Sequence, residues 1–288
     1  MIGIVESGST KTQWLFINKN KKSYSYRTVG FNPFYQTSED ISKVLAADLI
    51  PLLEFKEPIE KIYYYGAGCE AAANKLIVKE AFSVAMPKTE VHVMHDLLAA
   101  AKALFGDKPG IACIAGTGSN TCFYDGKDVV ENVHSLGLYL GDEGSGGYKG
   151  KLLISQYIRK ALPDHLMKAF EQDYPDRTDH ILDCIYRGEM PSRYLASFAP
   201  FLMKHIHEPE IYKLLYQSFD DLFENCILRY KNCKQQPIGF VGSVAYHFKE
   251  VLQKVAESKG LKIAVIDPDP SQALTKYHLE KEFAHEHH

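Results

Sequence analysis

Ile2-Gly-Ile-Val-Glu-Ser-Gly-Ser-Thr-Lys-Thr-Gln-Trp-Leu-Phe-Ile17 and Ile111-Ala-Cys-Ile-Ala-Gly-Thr-Gly-Ser-Asn-Thr-Cys-Phe-Tyr124 share one grammar. Each begins as a short apolar run that reads as a buried strand. Each then passes through a turn of glycine and hydroxyl residues and resumes as a strand rich in branched and aromatic side chains. The order decides the fold class. A Rossmann or Walker phosphate loop runs from a strand into a helix, whereas here the glycine turn joins two strands into a hairpin. Aligned on their turns, Ser7-Gly8-Ser9 lies against Thr117-Gly118-Ser119, Thr12 against Thr121 and Trp14 against Phe123, with one residue of slip. Two such units, each opening one half of the chain, imply a duplicated α/β domain.

Working outward, a third strand is expected near 24–29, helices at about 39–53 and 70–83, and strands at 61–66 and 91–94. The last of these ends at His95-Asp96 and gives way to a strong helix former over 97–104. A hinge is placed near 105–109. From about 150 to 235 the chain reads as a helical insertion, with Leu214, Phe219, Leu222, Phe223 and Cys226 spaced for one apolar face. Strand signals return at 238–241 and 261–266 around a helix over 243–260. Ser271 then caps a terminal helix. The expected domains are 1–107, 108–270 carrying the insertion, and a C-terminal helix over 271–288 that packs back on the first.

Composition narrows the function classes. The 288 residues are 45% hydrophobic and 24% charged, with 33 Lys+Arg against 36 Asp+Glu. A chain of this length buries roughly three quarters of its unfolded surface and needs no disulfide or metal staple. A formal charge of −3 excludes the basic excess of a general nucleic-acid binder. No stretch approaches the ~20 apolar residues of a membrane span, and the start lacks a signal-peptide pattern. Cys69, Cys113, Cys122, Cys184, Cys226 and Cys233 form no CxxC, as expected of reduced packing residues in a cytoplasmic protein. None of the histidines sits in HExxH, and His285, His287 and His288 crowd a charged tail.

Four places have the residue types for chemistry. The two glycine-hydroxyl turns can aim backbone N–H groups and side-chain oxygens at a phosphate; one alone reads first as a plain tight hairpin turn, and the repetition tips the pair toward the phosphate reading. Leu140-Gly-Asp-Glu-Gly-Ser-Gly-Gly147 surrounds two acids with small residues, and is either a ligand-approach turn or an exposed loop. Asp96 stands where a strand ends and a helix starts, so it can cap that helix or face a ligand outside the strand ends.

Glu6-Ser-Gly-Ser-Thr-Lys-Thr12, His95-Asp96, Ala115-Gly-Thr-Gly-Ser-Asn120, Gly141-Asp-Glu-Gly-Ser145 and Gly239-Phe-Val-Gly-Ser-Val-Ala245 follow one another across nearly the whole chain. Together they resemble the actin-like ATPase superfamily of sugar kinases, acetate kinase and heat-shock chaperone ATPases. Within it they resemble the BadF/BadG/BcrA/BcrD-type family of N-acetylglucosamine kinases and dehydratase-activating ATPases. The resemblance implies a duplicated actin-like (ribonuclease H-like) fold, with two domains around a nucleotide cleft. It implies ATP and Mg²⁺, with phosphates held by Gly8, Ser9, Thr10, Lys11 and Thr12 and by Gly116, Thr117, Gly118 and Ser119. Gly239, Gly242 and Ser243 would lie on the adenosine side, and Glu6 would hold the metal through water.

By the same resemblance, Asp96 is the general base, and Asn32, Gly68, Asp96, Thr117, Asn120, Gly141, Asp142 and Gly144 contact the sugar. The implied reaction is phosphorylation of N-acetylglucosamine at its C6 hydroxyl. The alternatives are a kinase for glucosamine or another hexosamine, or an ATPase that activates a partner enzyme. Many relatives have Asp at the position of Glu6, whereas mammalian-type acetylglucosamine kinases also have Glu. No cysteine here sits in the cluster motif of the dehydratase activators, which favours the sugar-kinase branch. A cytoplasmic homodimer is expected, with no nucleic acid or membrane as partner.

Overall fold

The structure, a computed structural model, describes residues 1–8, 11–175 and 177–283. The chain divides into two compact units, Met1–Ala103 with Ser271–His288, and Leu104–Pro270.

In the first unit β1 (Ile2–Ser7), β2 (Lys11–Ile17) and β3 (Ser23–Val29) form an antiparallel meander, and β4 (Lys61–Gly66) and β5 (Glu90–His95) extend it in parallel with β1. The sheet order is β3-β2-β1-β4-β5. α1 (Ser38–Val44), α2 (Ala72–Ala85) and α3 (Asp96–Phe105) follow the strands. The alternation of β2 sends Trp14 and Phe16 to one face, where both are fully buried. Trp14 packs with ring centroids 6.2 Å from Phe16, 6.3 Å from Phe31 and 6.0 Å from Phe82. Its indole N–H is satisfied by Thr28 Oγ1 at 2.9 Å, as burial of an indole requires. The expected helix over 39–53 is one α-helix only as far as Val44. It then widens into a π turn at Leu45–Leu49 and tightens into a 3₁₀ turn at Ile50–Leu52. Pro51 has no N–H to continue the α ladder.

The second unit repeats the plan. β6 (Gly110–Ala115), β7 (Ser119–Tyr124) and β8 (Val129–Val133) form a meander, β9 (Ile238–Val241) and β10 (Ile263–Asp267) run parallel to β6, and the order is β10-β9-β6-β7-β8. The two sheets are therefore the same five-stranded design, as the paired hairpins imply. Their alignment differs from the one read off the turns. Residues 8–11 separate the paired Ser7 and Thr12, but only residues 116–118 separate the paired Ala115 and Ser119. In both, the glycine directly after the first strand donates its N–H across the turn, Gly8 to Lys11 O and Gly116 to Gly118 O, each at 3.0 Å. Gly8 thus corresponds to Gly116 rather than Gly118, and the slip lies inside the turn. β8 escapes sequence reading because it is a five-residue edge strand with no buried side chain, entered through a turn in which Asp125 Oδ1 accepts the N–H groups of Lys127 and Asp128.

Between β8 and β9 run α4 (Gly137–Leu140), α5 (Gly146–Ile158), α6 (Asp164–Asp173), α7 (Thr178–Tyr186), α8 (Pro191–Ala196), α9 (Ala199–Lys204) and α10 (Pro209–Asn225). The expected helix over 243–260 is broken at Phe248 into α11 (Ser243–His247) and α12 (Lys249–Ser258). These helices and the sheet close over a separate core that includes Phe170, Phe198, Phe201, Phe219, Phe223 and Phe240. Among the described residues no helix is long and apolar enough to cross a membrane.

The last helix, α13 (Ser271–Phe283), belongs to the first unit. Polar contacts do much of its anchoring. Lys61 Nζ and Tyr63 Oη donate to Glu282, and Tyr65 Oη lies 2.8 Å from His278 Nε2. The buried His278 ring stacks on Tyr63 with centroids 4.1 Å apart. Burial first, and then the Lys102 ammonium, hold His278 down to about 3. A histidine kept neutral in the fold but free to protonate once unfolded draws the chain toward unfolding as pH falls below the unfolded value near 6.5. The wild-type protein should therefore lose up to about 1.4 kcal/mol of unfolding free energy per pH unit below that point, relative to His278→Gln. Denaturant unfolding of both proteins at pH 7 and at pH 4.5 measures this. The same pH dependence in both would show that His278 is not held neutral.

Candidate active site

The parallel strands of the first unit end together, and the turns leaving them supply its polar groups. At the end of β1 Ser7 Oγ lies 2.7 Å from Thr12 Oγ1 and accepts the N–H of Phe31 at 3.0 Å. Thr12 is fully buried, so its hydroxyl braces the hairpin rather than facing outward. Gly8 and the Lys11 side chain are exposed, and Glu6 is half-buried on β1. Ser9 and Thr10 lie outside the described residues. Among the described residues, a Cβ added to Gly8 would meet only Lys11 O, at 3.9 Å.

Beyond β4, Gly68 has φ +74, and a Cβ there would come within 2.8 Å of Asn32 Oδ1. The fold thus brings Asn32 and Gly68 together. Asn32 Oδ1 accepts the N–H of Phe34 at 3.1 Å, and Asn74 Nδ2 donates to Gly68 O at 2.8 Å. Asp96 follows β5 as the first residue of α3. Its Oδ1 accepts the adjacent Leu97 N–H, at 2.9 Å, whereas the N–H of Leu98 goes to His95 Nδ1 at 3.3 Å. The i to i+3 capping bond belongs to His95, and Asp96 is the first residue of α3, directly after β5. Burial chiefly pushes its carboxyl up to about 6; the Leu97 N–H opposes the rise, and the Glu70 charge adds to it. Burial and then Asp96 in turn push the Cys69 thiol up to about 12.

In the second unit the 116–119 turn is held from several sides. Gly146 and Gly147, the first residues of α5, donate to Gly116 O at 2.8 Å and Thr117 O at 3.0 Å. Ser119 N–H reaches Asp142 Oδ1 at 3.3 Å, and Ser119 Oγ donates to Glu143 O at 2.7 Å. With trans peptides throughout, the N–H of Thr117 and that of Gly118 point opposite to the carbonyls taken by α5. Neither finds a protein acceptor among the described residues. A Cβ on Gly116 would meet nothing within 4 Å.

Asp142 is buried in the left-handed region (φ +60), its carboxyl raised by desolvation. It braces the turn. Ser145 caps α5 by accepting the N–H of Tyr148 at 3.0 Å, a signal legible in the sequence as a hydroxyl residue before a helix. Gly242 (φ +117) donates to Asp267 O at 2.9 Å and packs against Ala115 O, which sets the exposed Ser243 beside the same turn.

Other residues named from the sequence serve the fold. Gly239 is buried, its missing side chain replaced by Phe105 and Val265. Gly141 is pressed on Ser135 O and Gly144 on Leu222. Asn120 Oδ1 is engaged by Thr121 N–H and Asn132 Nδ2 at 2.9 and 3.0 Å. Sequence reasoning missed Lys151, whose Nζ donates to Leu138 O at 3.0 Å and whose charge acts on Asp142. A half-buried lysine leaves no pattern in a sequence. Among the described residues no group of three or more His, Cys, Asp or Glu side chains is arranged to hold a metal ion.

No family model and no curated protein matches the chain. Among solved structures, a Porphyromonas gingivalis protein provisionally named an N-acetylglucosamine kinase is similar at 40% identity and a TM-score of 0.91, over 96% of this chain and 98% of that one. A Chromobacterium violaceum protein with the same provisional name is similar in fold at 18% identity and a TM-score of 0.72, covering 96% and 98%. A non-polymerising MamK mutant bound to AMPPNP is similar in fold at 12% identity and a TM-score of 0.53, covering 97% and 98%. The duplicated sheets and the near full-length identity with the Porphyromonas protein lead to one conclusion: the chain belongs to the N-acetylglucosamine kinase-like family of the actin-like ATPase fold.

Proposed function

We propose that the protein is an ATP-dependent sugar kinase that transfers the γ-phosphoryl group of ATP to the C6 hydroxyl of N-acetylglucosamine. The supporting observation is the pair of outward N–H groups on the 116–119 turn, backed by the start of α5 and unobstructed at Gly116. Such a nest suits a phosphate oxygen. The names of the 40%-identical Porphyromonas relative and of the Chromobacterium protein supply the sugar.

On this proposal Thr117 and Gly118 N–H hold phosphate oxygens, and Gly8 and Lys11 are the first unit's own candidates for a phosphate. Gly242 and Ser243 border the nucleotide. Asn32 and the backbone at Gly68 orient the sugar, and Asp96 accepts the proton of the attacking hydroxyl. Mg²⁺ favours oxygen ligands and keeps several waters; the half-buried Glu6 suits an outer contact through one of them. When bound, the ion would neutralise charge on the phosphates. The chain's own residues orient the hydroxyl, place the phosphates and receive the proton, and such positioning provides much of the acceleration in phosphoryl transfer. A coupled ADP-release assay over hexoses, hexosamines and acetylhexosamines, with a no-sugar control, tests the assignment. The highest kcat/KM should fall on N-acetylglucosamine. Preference for glucosamine or glucose would move the substrate, and no sugar-dependent release would overturn the proposal.

Gly116→Ala separates ligand approach from folding. Its Cβ enters open space, so unfolding free energy should stay within about 0.5 kcal/mol of wild type. Calorimetry should show ATP affinity reduced roughly tenfold, equivalent to about 1.4 kcal/mol. Unchanged affinity would remove this turn from the phosphate site.

For Asp96 the pH dependence has a definite sign. A carboxyl raised from 3.8 to about 6 disfavours the charged fold, a cost absent below the unfolded value and complete above the folded one. Asp96→Asn should therefore raise stability at pH 7 by up to about 2–3 kcal/mol, with the gain vanishing toward pH 4. Turnover should fall about 100-fold or more, and the wild-type acid limb near pH 6 should disappear. Thermal melts and single-turnover transfer on one preparation decide. Near-wild-type turnover in D96N would exclude Asp96 as the base.

A further inference from the structure

Lys149 is the fourth residue of α5, and its side chain is completely buried. Nζ donates to the carbonyl oxygen of Gly144 and stands 3.6 Å from the centroid of the Phe219 ring and 5.9 Å from that of Phe248. Among the described residues no carboxylate pairs with it. The arrangement is costly. An amine loses its hydration on burial, and the first turn of a helix disfavours positive charge. Burial pushes Lys149 well below the ordinary lysine range. A methionine would fill the same space without that cost, so the amine must serve its acceptor.

That acceptor lies in a strained place. Asp142 (φ +60) and Gly144 (φ +78) are both left-handed, on either side of Glu143. Such a turn persists only when its surroundings hold it. It carries two of the contacts that shape the 116–119 turn, Asp142 Oδ1 to Ser119 N–H and Glu143 O to Ser119 Oγ. We infer that Lys149 is a positioning residue: its buried amine holds the Gly144 carbonyl, fixes the 142–144 turn against Ser119, and so sets the shape of the 116–119 turn. The consequence for phosphate binding rests on the function proposed above. The consequence for the turn itself does not.

Lys149→Met and Lys149→Gln test this, first without any ligand. In K149M the amides of Ser119 and Ser145 should exchange hydrogen at least about tenfold faster, while those of β6 and β9 keep wild-type protection. The melting temperature should be unchanged or raised, since an apolar chain replaces a buried polar one. With nucleotide and sugar present, turnover should drop about 100-fold, the scale of a site displaced by about 1 Å. K149Q keeps a donor and should recover part of both effects. Should K149M fail to fold, K149Q alone carries the exchange comparison, with smaller changes at the same amides.

Unchanged exchange at Ser119 would overturn the inference. So would faster exchange spread evenly over the second unit with a matching loss of melting temperature, which marks a residue that merely supports the core. Absence of nucleotide binding in the wild-type protein would overturn the kinase proposal instead and leave the exchange result standing.

Discussion

Two backbone hydrogen bonds, from Gly146 and Gly147 at the start of α5 to Gly116 O and Thr117 O, govern the second unit's site. A helix begins with N–H groups that have no partner inside the helix, and in many phosphate sites those groups meet the ligand directly. Here two of them are committed to the turn between β6 and β7. Because each peptide is planar and trans, fixing the carbonyls fixes the opposite N–H groups as outward donors. The positive end of the helix reaches a ligand only through the polarised peptides of the turn. On the function proposed, a strand–turn–strand hairpin would do the work that a strand–loop–helix does in other nucleotide folds. The same constraint explains why Ser145 must cap α5 and why Asp142 must hold Ser119: each keeps one side of the hairpin in place.

The glycines divide according to what replaces their missing side chains. At Gly141, Gly144, Gly239 and Gly242 the space is occupied by Ser135, Leu222, Phe105 with Val265, and Ala115. Those four are demanded by the fold itself. At Gly8 and Gly116 almost nothing is near among the described residues, and neither lies in the left-handed region. Neither packing nor backbone conformation calls for glycine there, so close approach from outside is the remaining physical reason. Both are the first residue after the leading strand of a hairpin. The duplication has kept glycine at this position, which on the function proposed is where bulk would obstruct a phosphate, while the rest of the turn differs in length.

Much of the fold was legible because hairpin order and strand runs are local properties of the chain. The repeated grammar of 2–17 and 111–124 gave the duplication, and apolar runs located nine of the ten strands. β8 was hidden because an edge strand with one solvated face has no apolar run to announce it. At the site the sequence could name residue types but not directions. Thr12 and Thr117 look alike on paper; one is buried against Ser7 and the other is exposed on a turn. Asp96 could not be separated from a helix cap until His95 Nδ1 was found on the Leu98 N–H. Lys149 carried no signal at all, since a lysine is almost always a surface residue.

Asp96 and Asp142 show how one physical cause yields two uses. Burial raises both carboxyls. Asp142 is almost enclosed, and its oxygen is engaged by Ser119 N–H, so its charge is spent on shaping the polypeptide. Asp96 is only half-buried, accepts the neighbouring Leu97 N–H, and stands where three parallel strands end. On the function proposed, its carboxylate has lone pairs for the attacking hydroxyl. A value near 6 makes it a stronger base than an ordinary carboxylate and still leaves it ionised at neutral pH, which suits general-base work. In a loose phosphoryl transfer the hydroxyl proton departs late, so orientation matters first and proton affinity second. The desolvation that makes Asp96 costly to the fold is also what raises its proton affinity. At the end of β5, stability and basicity are set against each other by a single environment.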